Sequence, residues 1–319
     1  MKLLKILVFW RLTYDNAGRI IEVVNNKFNK YGFPEMDICR NIIPTDNTTL
    51  FVCSGMQELK NRFQTPDNST YSSLQSCIRT NDLDAIGDGT HLSSFEMIGN
   101  FSFSAIEYKK SCEMWLEIVD VLGVMPDYVT FHPECEEHQK IWESLGQTTV
   151  ESEECVWSDG DIGGYCTEMF KSDIEIGNLV NTAGTMTDVG FGAERLAMFM
   201  ENKDRADMTS LFPQVDNPVL RDHLRTIDLL HENNVFPGNK RRNYISRLLI
   251  RRCLAQSDLD FFRNYEFFQW FADEHQRKEK AILSAKSSIR RHRNKDYQFW
   301  FATFGVLPEE IDRLKLEFL

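Results

Sequence analysis

Residues 93–103 read SSFEMIGNFSF, and the fold turns on how that stretch is understood. Phe95, Phe101 and Phe103 demand burial, Glu96 sits among them, and Gly99-Asn100 interrupts the run. One reading is structural: an amphipathic strand with a kink. The other is a nucleotide site, where a ring stacks on a base and polar atoms read its edge. Residues 93–103 and 76–81 both alternate as strands do. The loop formers of NDLDAIGDGTH lie between them, so the pair reads as an antiparallel hairpin with a long loop.

Upstream, residues 3–10 look like a short apolar strand. Asp15-Asn16 then caps a helix with the stripe Ile20, Val24, Phe28 and Tyr31, ending at Gly32. FPEMDICRNIIP and LFVCSG are extended candidates. Downstream, 104–122 predicts a helix with Tyr108, Cys112, Trp115, Val119 and Leu122 on one face. A second helix is expected over 134–145, short strands over 155–190, and a helix in FGAERLAMFM. From about 216 the pattern is helical. The polar, proline-broken KDRADMTSLFPQVDNP marks a domain boundary near 203–220. The expected class is α+β: an antiparallel sheet flanked by helices over 1–205, then an all-α region over 206–319.

The 319 residues, 42% hydrophobic and 26% charged, describe a globular chain of one or two domains. A net charge of −12 excludes a surface coated throughout by nucleic acid. The charge is uneven. Residues 237–319 hold 17 Lys and Arg against 11 Asp and Glu, a surplus of six, so the remainder carries −18. Such asymmetry marks either a nucleic-acid-facing segment or, more commonly, a solvated helical face. None of the eight cysteines forms a CxxC pair, and most have the apolar neighbours of reduced core thiols. His132, Cys135 and His138 are spaced i, i+3, i+6 near a helix start and share no face well, so zinc is not expected. No membrane span or signal peptide is expected, and a reduced cytoplasm is the default compartment.

Neither standard glycine-rich phosphate cradle is present. A nucleotide site then needs cations for phosphates, a platform for the base and acids for magnesium. Arg79 ends the first hairpin strand, His91 precedes Phe95 by four, and Arg195 lies one turn into the GFGAER helix. Glu175 and Asn178 lie on a preceding strand. Two arginines on rigid elements suit a triphosphate through fork-like hydrogen bonds. Taken singly, each has an ordinary alternative: Arg79 pairs with Asp82 or Asp84, and Arg195 with Glu201.

Together, CIRTNDLDAIG, SSFEMIGNFSF and TDVGFGAER resemble the catalytic domain of alanyl-tRNA synthetases, class II enzymes with three short signature motifs. The likeness runs nearly end to end, from KFNKYGF and IIPTDNTTLFVCSGMQELKNRF to VFPGNKRRNYISRLLIRR. It implies a class II synthetase-type antiparallel sheet flanked by helices. It also implies ATP and Mg2+ as requirements, alanine or a similar small amino acid as substrate, and the tRNA acceptor stem as partner. On this resemblance Arg79 holds the α-phosphate, His91 approaches the terminal phosphates, Phe95 stacks on adenine and Glu96 reaches its edge. Arg195 covers the other face of the base, and Glu175 with Asn178 holds magnesium. Arg79 and Arg195 are the catalytic residues. Trp157, Val180, Asp188 and Gly190 form the amino-acid pocket, with Asp188 facing the ammonium group. Arg241, Arg251, Arg290 and Arg291 are the expected tRNA contacts.

Three departures stand out. Only Thr80 fills the place of a Gly-Gly-Lys-His-like loop. Gly177 stands where the family has tryptophan. The helical tail is expected to be truncated against the family pattern, without its editing and C-terminal dimerising domains, which is consistent with a monomer. The sequence therefore leaves three functions open: a minimal alanine–tRNA ligase, a paralogue passing the activated amino acid to another acceptor, and an inactive RNA-binding relic.

Overall fold

Among the described residues, the SSFEMIGNFSF hairpin lies within a sheet of nine strands. The computed structural model describes residues 15–45, 49–182, 185–306 and 308–318. The strand expected over 3–10 lies outside them. In chain order the strands are β1 (Asp37–Cys39), β2 (Thr70–Ile78), β3 (Ser94–Phe103), β4 (Tyr128–Phe131), β5 (Thr149–Glu151), β6 (Val156–Asp159), β7 (Ile162–Lys171), β8 (Ile174–Thr182) and β9 (Met186–Gly192). Their order across the sheet is β1-β2-β3-β9-β8-β7-β4-β5, with β6 paired to β7. All pairings are antiparallel except β1 with β2 and β4 with β5.

Helices cover one face. α1 (Asp15–Tyr31) and α3 (Tyr108–Leu122) pack there with α5 (Ala193–Met200) and with α4 (Glu136–Ser144), whose Trp142 is buried in the same cluster; short α2 (Lys60–Gln64) contributes Phe63 to a separate cluster. The expected stripe Ile20, Val24 and Phe28 is buried, as are Tyr108, Cys112, Trp115, Val119 and Leu122. Gly32 ends α1 at φ +89°, a conformation that favours glycine. Beyond apolar burial, Lys27, Lys30 and Tyr31 of α1 all reach Glu117 of α3, at 2.6, 2.7 and 2.8 Å.

The interruption at Gly99-Asn100 has a packing cause. A Cβ on Gly99 would lie 2.7 Å from the Phe101 ring and 3.0 Å from the Val189 carbonyl of β9. Gly99 thus admits a ring and a neighbouring strand; it does not line the ligand-sized cavity described below. Asn100 accepts a hydrogen bond from the buried Trp115 indole at 2.6 Å. Trp115 stacks on Phe191 with centroids 3.7 Å apart and planes 2° apart. Phe191 also explains Gly177. The two are cross-strand partners, and a Cβ on Gly177 would sit 2.3 Å from the Phe191 ring.

Helix α6 (Pro218–Glu232) belongs to this first compact unit, which closes at Asn234. Asp222 accepts from the Ser93 N–H at 2.7 Å and also bonds the Ser93 hydroxyl. Arg225 donates to the Ser94 carbonyl at 3.1 Å and pairs with buried Glu194. Glu194 in turn accepts from the Glu96 N–H at 2.9 Å. These bonds fix β3 on both sides of Phe95. The composition break at 203–220 precedes α6, whereas the compact unit ends after it.

The second unit, from Val235, is helical: α7 (Arg241–Gln256), α8 (Phe268–Ser288), α9 (Tyr297–Phe304) and α10 (Pro308–Phe318). Its interior holds the stacked rings of Phe262 and Phe271 and a buried Glu274. Arg247 reaches Glu274 at 2.9 Å, Arg277 at 3.4 Å and Arg251 at 3.6 Å. Arg251 also bonds the Gly305 carbonyl and lies 4.0 Å from Glu310. The expectation that Arg251 contacts tRNA is therefore corrected: its guanidinium is buried neutralising two internal carboxylates. Arg241, Arg290 and Arg291 are exposed.

Candidate active site

Alternation along β3 sends Phe95 and Met97 to the sheet face opposite the α1–α3 layer. There they line a cavity of about 490 Å³. Arg79 and Arg195, far apart in sequence, line the same cavity. So do His91, Trp157, Glu175, Asn178, Val180, Asp188 and Gly190.

At one end the Arg79 guanidinium lies 4.8 Å from the centre of the Phe95 ring, and its Nε donates to the Cys53 carbonyl at 3.2 Å. Arg195, in the first turn of α5, donates to the Glu175 carbonyl at 2.6 Å and pairs with its carboxylate at 3.0 Å. Two forked cations thus face one volume beside an aromatic ring. That combination suits a nucleoside polyphosphate.

At the other end lies Asp188 on β9. It has no hydrogen-bond or ion-pair partner among the described residues, and burial pushes its carboxyl up to about 7. A desolvated carboxylate without a cation is a site for an ammonium group. Around it the space is small. Val180 is buried, Trp157 packs against the clusters that hold Val180 and Phe101, and a Cβ on Gly190 would meet the Met97 sulfur at 3.0 Å.

Glu96 departs from the expectation. As the neighbour of Phe95 on a strand it faces the other side of the sheet. There it bonds Ser76 at 2.8 Å and pairs with Arg40 at 3.4 Å, in a separate cavity behind the hairpin. It does not read a base on the Phe95 face. The rings of His132 and His138 also separate: His132 stacks on Tyr165 and His138 on Tyr108.

Residues 38–188 match the family model described as tRNA synthetases class II (A). The alanine–tRNA ligase of Psychromonas ingrahamii is 28% identical over 86% of this chain and 40% of its own length. That of Neorickettsia sennetsu is 30% identical over 68% of this chain and 34% of its own. That of Idiomarina loihiensis is 27% identical over 94% and 43%. This chain belongs to the alanyl-tRNA synthetase family. It spans less than half the length of these curated relatives. Its mixed, mostly antiparallel sheet with flanking helices, followed by a helical region, is the class II architecture.

Class II synthetases use ATP and Mg2+, and the oxygen-rich wall of this family member's cavity suits a hard cation. Glu168 and Glu175 both line it. Burial, then the nearby charge of Glu175, raises the Glu168 carboxyl to about 7. Asn178 Nδ2 donates to Glu168 at 3.4 Å, while Asn178 Oδ1 is buried without a donor. Crowded carboxylates beside an orphaned carbonyl oxygen fit magnesium.

Sequence reasoning missed Glu168, although it stands directly across from Asn178 in the β7–β8 pairing. A carboxylate set in the otherwise apolar CTEMF strand was the available signal. It also missed Glu194, Met97 and the loop residue Asp82, which line the cavity too.

Proposed function

We propose that this chain activates alanine with ATP and transfers the alanyl group to the tRNA acceptor stem. One observation carries the reading: Arg79, Arg195 and the unpartnered Asp188 share a single cavity. Asp188 holds the ammonium group, and the pocket walled by Trp157, Val180 and Gly190 admits a small side chain. An alanine carboxylate oxygen then attacks the α-phosphorus. The bond from that phosphorus to the bridging oxygen breaks, and pyrophosphate leaves. No general base is required, since the nucleophile is already an anion. Arg79 stabilises the charge that develops on the α-phosphoryl oxygens, and His91 faces the terminal phosphates. Phe95 and Arg195 hold the base between them. Catalysis is positioning plus electrostatics. Glu175 and Asn178, with Glu168 beside them, would hold magnesium, which would supply charge neutralisation on the polyphosphate.

A methyl group is worth only about 1–3 kcal/mol in such a pocket, so glycine and serine are the natural competitors. The second compact unit supplies tRNA recognition through Arg241, Arg290 and Arg291. This reading places a monomer in the cytoplasm. Among the described residues no helix is long and apolar enough to cross a membrane.

The test is amino-acid-dependent ATP–pyrophosphate exchange with alanine, glycine and serine, followed by acylation of tRNA. Exchange that is fastest with alanine, followed by charged tRNA, supports the proposal. Exchange without charging assigns the activated amino acid to another acceptor. No exchange with any of the three leaves an RNA-binding relic.

A further inference from the structure

The long loop between β2 and β3 brings His91 to the cavity wall, and Asp88 turns back onto it. Asp88 Oδ1 accepts from the backbone N–H of Thr90 at 2.8 Å and of His91 at 2.9 Å. Its Oδ2 lies 2.6 Å from His91 Nδ1. The loop is shaped around this carboxylate. Gly87 and Gly89 flank it at φ +109° and +95°, values that favour glycine. Arg205 backs the turn, donating to the Gly87 carbonyl at 3.0 Å, while a Cβ on Gly89 would meet the Arg205 side chain at 3.1 Å.

Burial raises the Asp88 carboxyl, but the hydrogen bonds from His91 and Thr90 prevail and hold it at about 2. It is ionised at neutral pH and has no hydrogen to give. His91 Nδ1 must therefore carry the proton in this contact, leaving Nε2 as the nitrogen available to the cavity. The competing reading is an ordinary exposed ion pair of little consequence. It does not account for two backbone bonds and two left-handed glycines arranged about one carboxylate.

We propose that Asp88 is a positioning residue for the nucleotide: by gripping Nδ1–H it sets the His91 ring with Nε2 toward the terminal phosphates, where the ring, protonated on both nitrogens in the complex, donates Nε2–H to a phosphate oxygen. This rests on the nucleotide reading above.

Two variants of the full chain separate the possibilities. Asp88→Ala removes the grip. Asp88→Asn keeps one oxygen, which the two backbone N–H groups retain, and so turns an NH2 toward the ring. That forces Nδ1 to accept and moves the proton to Nε2. Long-range 1H–15N spectra of histidine-labelled protein should show Nδ1 protonated in the wild type and the opposite tautomer in Asp88→Asn. ATP affinity should fall about tenfold or more in Asp88→Ala, the scale of a hydrogen bond to a charged group, with AMP affinity within about twofold. His91→Ala should lose as much, and the double variant no more.

An unchanged tautomer, additive losses, or an equal loss of AMP binding overturns the role of Asp88 alone. A wild-type chain that binds no ATP overturns the nucleotide reading and this role with it.

Discussion

The Arg79 guanidinium lies 4.8 Å from the centroid of the Phe95 ring, across the hairpin that joins β2 to β3. A cation over an aromatic face is worth only about 0.5–1 kcal/mol where water has access. Its other contact, to the Cys53 carbonyl at 3.2 Å, is a single hydrogen bond. A hydrogen bond between charged groups is worth about 1.5–3 kcal/mol. The side chain is therefore held close to the proposed α-phosphate position by contacts weak enough for a phosphate to displace.

Arg79→Ala should lower kcat/KM for ATP–pyrophosphate exchange by about 100-fold or more, the usual scale for losing a donor to developing charge. Arg79→Lys should recover only part of this, because an ammonium lacks the fork. Phe95→Ala should act mainly on KM for ATP, and Phe95→Trp should restore most of it. Steady-state kinetics decide. An Arg79→Ala protein with normal exchange would remove the arginine from the reaction.

Asp188 makes stability and function pull in opposite directions. Its carboxyl titrates near 7 in the folded chain instead of the ordinary 3.8, so the folded state keeps a proton that the unfolded state releases. Stability from this group is present in full below about pH 3.8 and declines as pH rises through 7. Asp188→Asn should therefore be more stable than wild type at pH 8, by on the order of 4 kcal/mol, and show little difference at pH 4. The same variant should lose exchange. In the wild type an ammonium ligand needs the ionised form, so KM for alanine should rise up to about tenfold per unit as pH falls below 7. A flat KM between pH 8 and 6 would separate Asp188 from the amino group.

Parts of this site were legible in the chain because their periodicity is local. The α1 and α3 stripes repeat at helical spacing, and the hairpin alternates, so strand parity alone puts Glu96 on the side opposite Phe95. The expectation that Glu96 meets the base overlooked that parity. Arg251 was illegible for a different reason. Its burial depends on Glu274 and Glu310, distant in sequence, and nothing in RRNYISRLLIRR distinguishes it from an exposed arginine. Arg225 and Asp222 were missed for the same cause. Their partners Glu194, Ser93 and Ser94 lie on elements that only the folded sheet brings to α6.

Gly177 and Phe191 share one space. Gly177→Ala should destabilise the chain by about 1–3 kcal/mol, since its Cβ would press on the Phe191 ring and, through it, on Trp115. Phe191→Leu in the same chain should recover part of that loss. Chemical denaturation measures both, and a neutral Gly177→Ala would mean that the ring moves aside at no cost.

Arg225 sits between two carboxylates, paired with Glu194 and 3.9 Å from Glu96. Removing it by Arg225→Met leaves buried charge uncompensated, which should cost about 3–5 kcal/mol. Adding Glu194→Gln should restore part of that stability. Exchange should stay impaired, because the Arg225 bond to the Ser94 carbonyl, which helps to fix the strand that carries Phe95, is still missing. A double variant that regained full exchange would reduce α6 to a passive cover.

The helical unit holds exposed arginines, proposed above as phosphate contacts, apart from buried ones. Arg290 and Arg291 are exposed, and no ion pair holds either of them among the described residues. Neutralising both should weaken tRNA binding and lower the slope of log affinity against log salt by about two, roughly one for each phosphate no longer neutralised, with the melting temperature unchanged. Arg251→Met should do the reverse. It strips a cation from Glu274 and Glu310, so the unit should unfold more readily while the salt slope of the remaining folded protein stays the same. Binding isotherms between about 50 and 200 mM salt, paired with thermal melts, read the two quantities separately. If neutralising Arg290 and Arg291 leaves the slope untouched, the basic face of this unit is solvated surface and tRNA is gripped elsewhere.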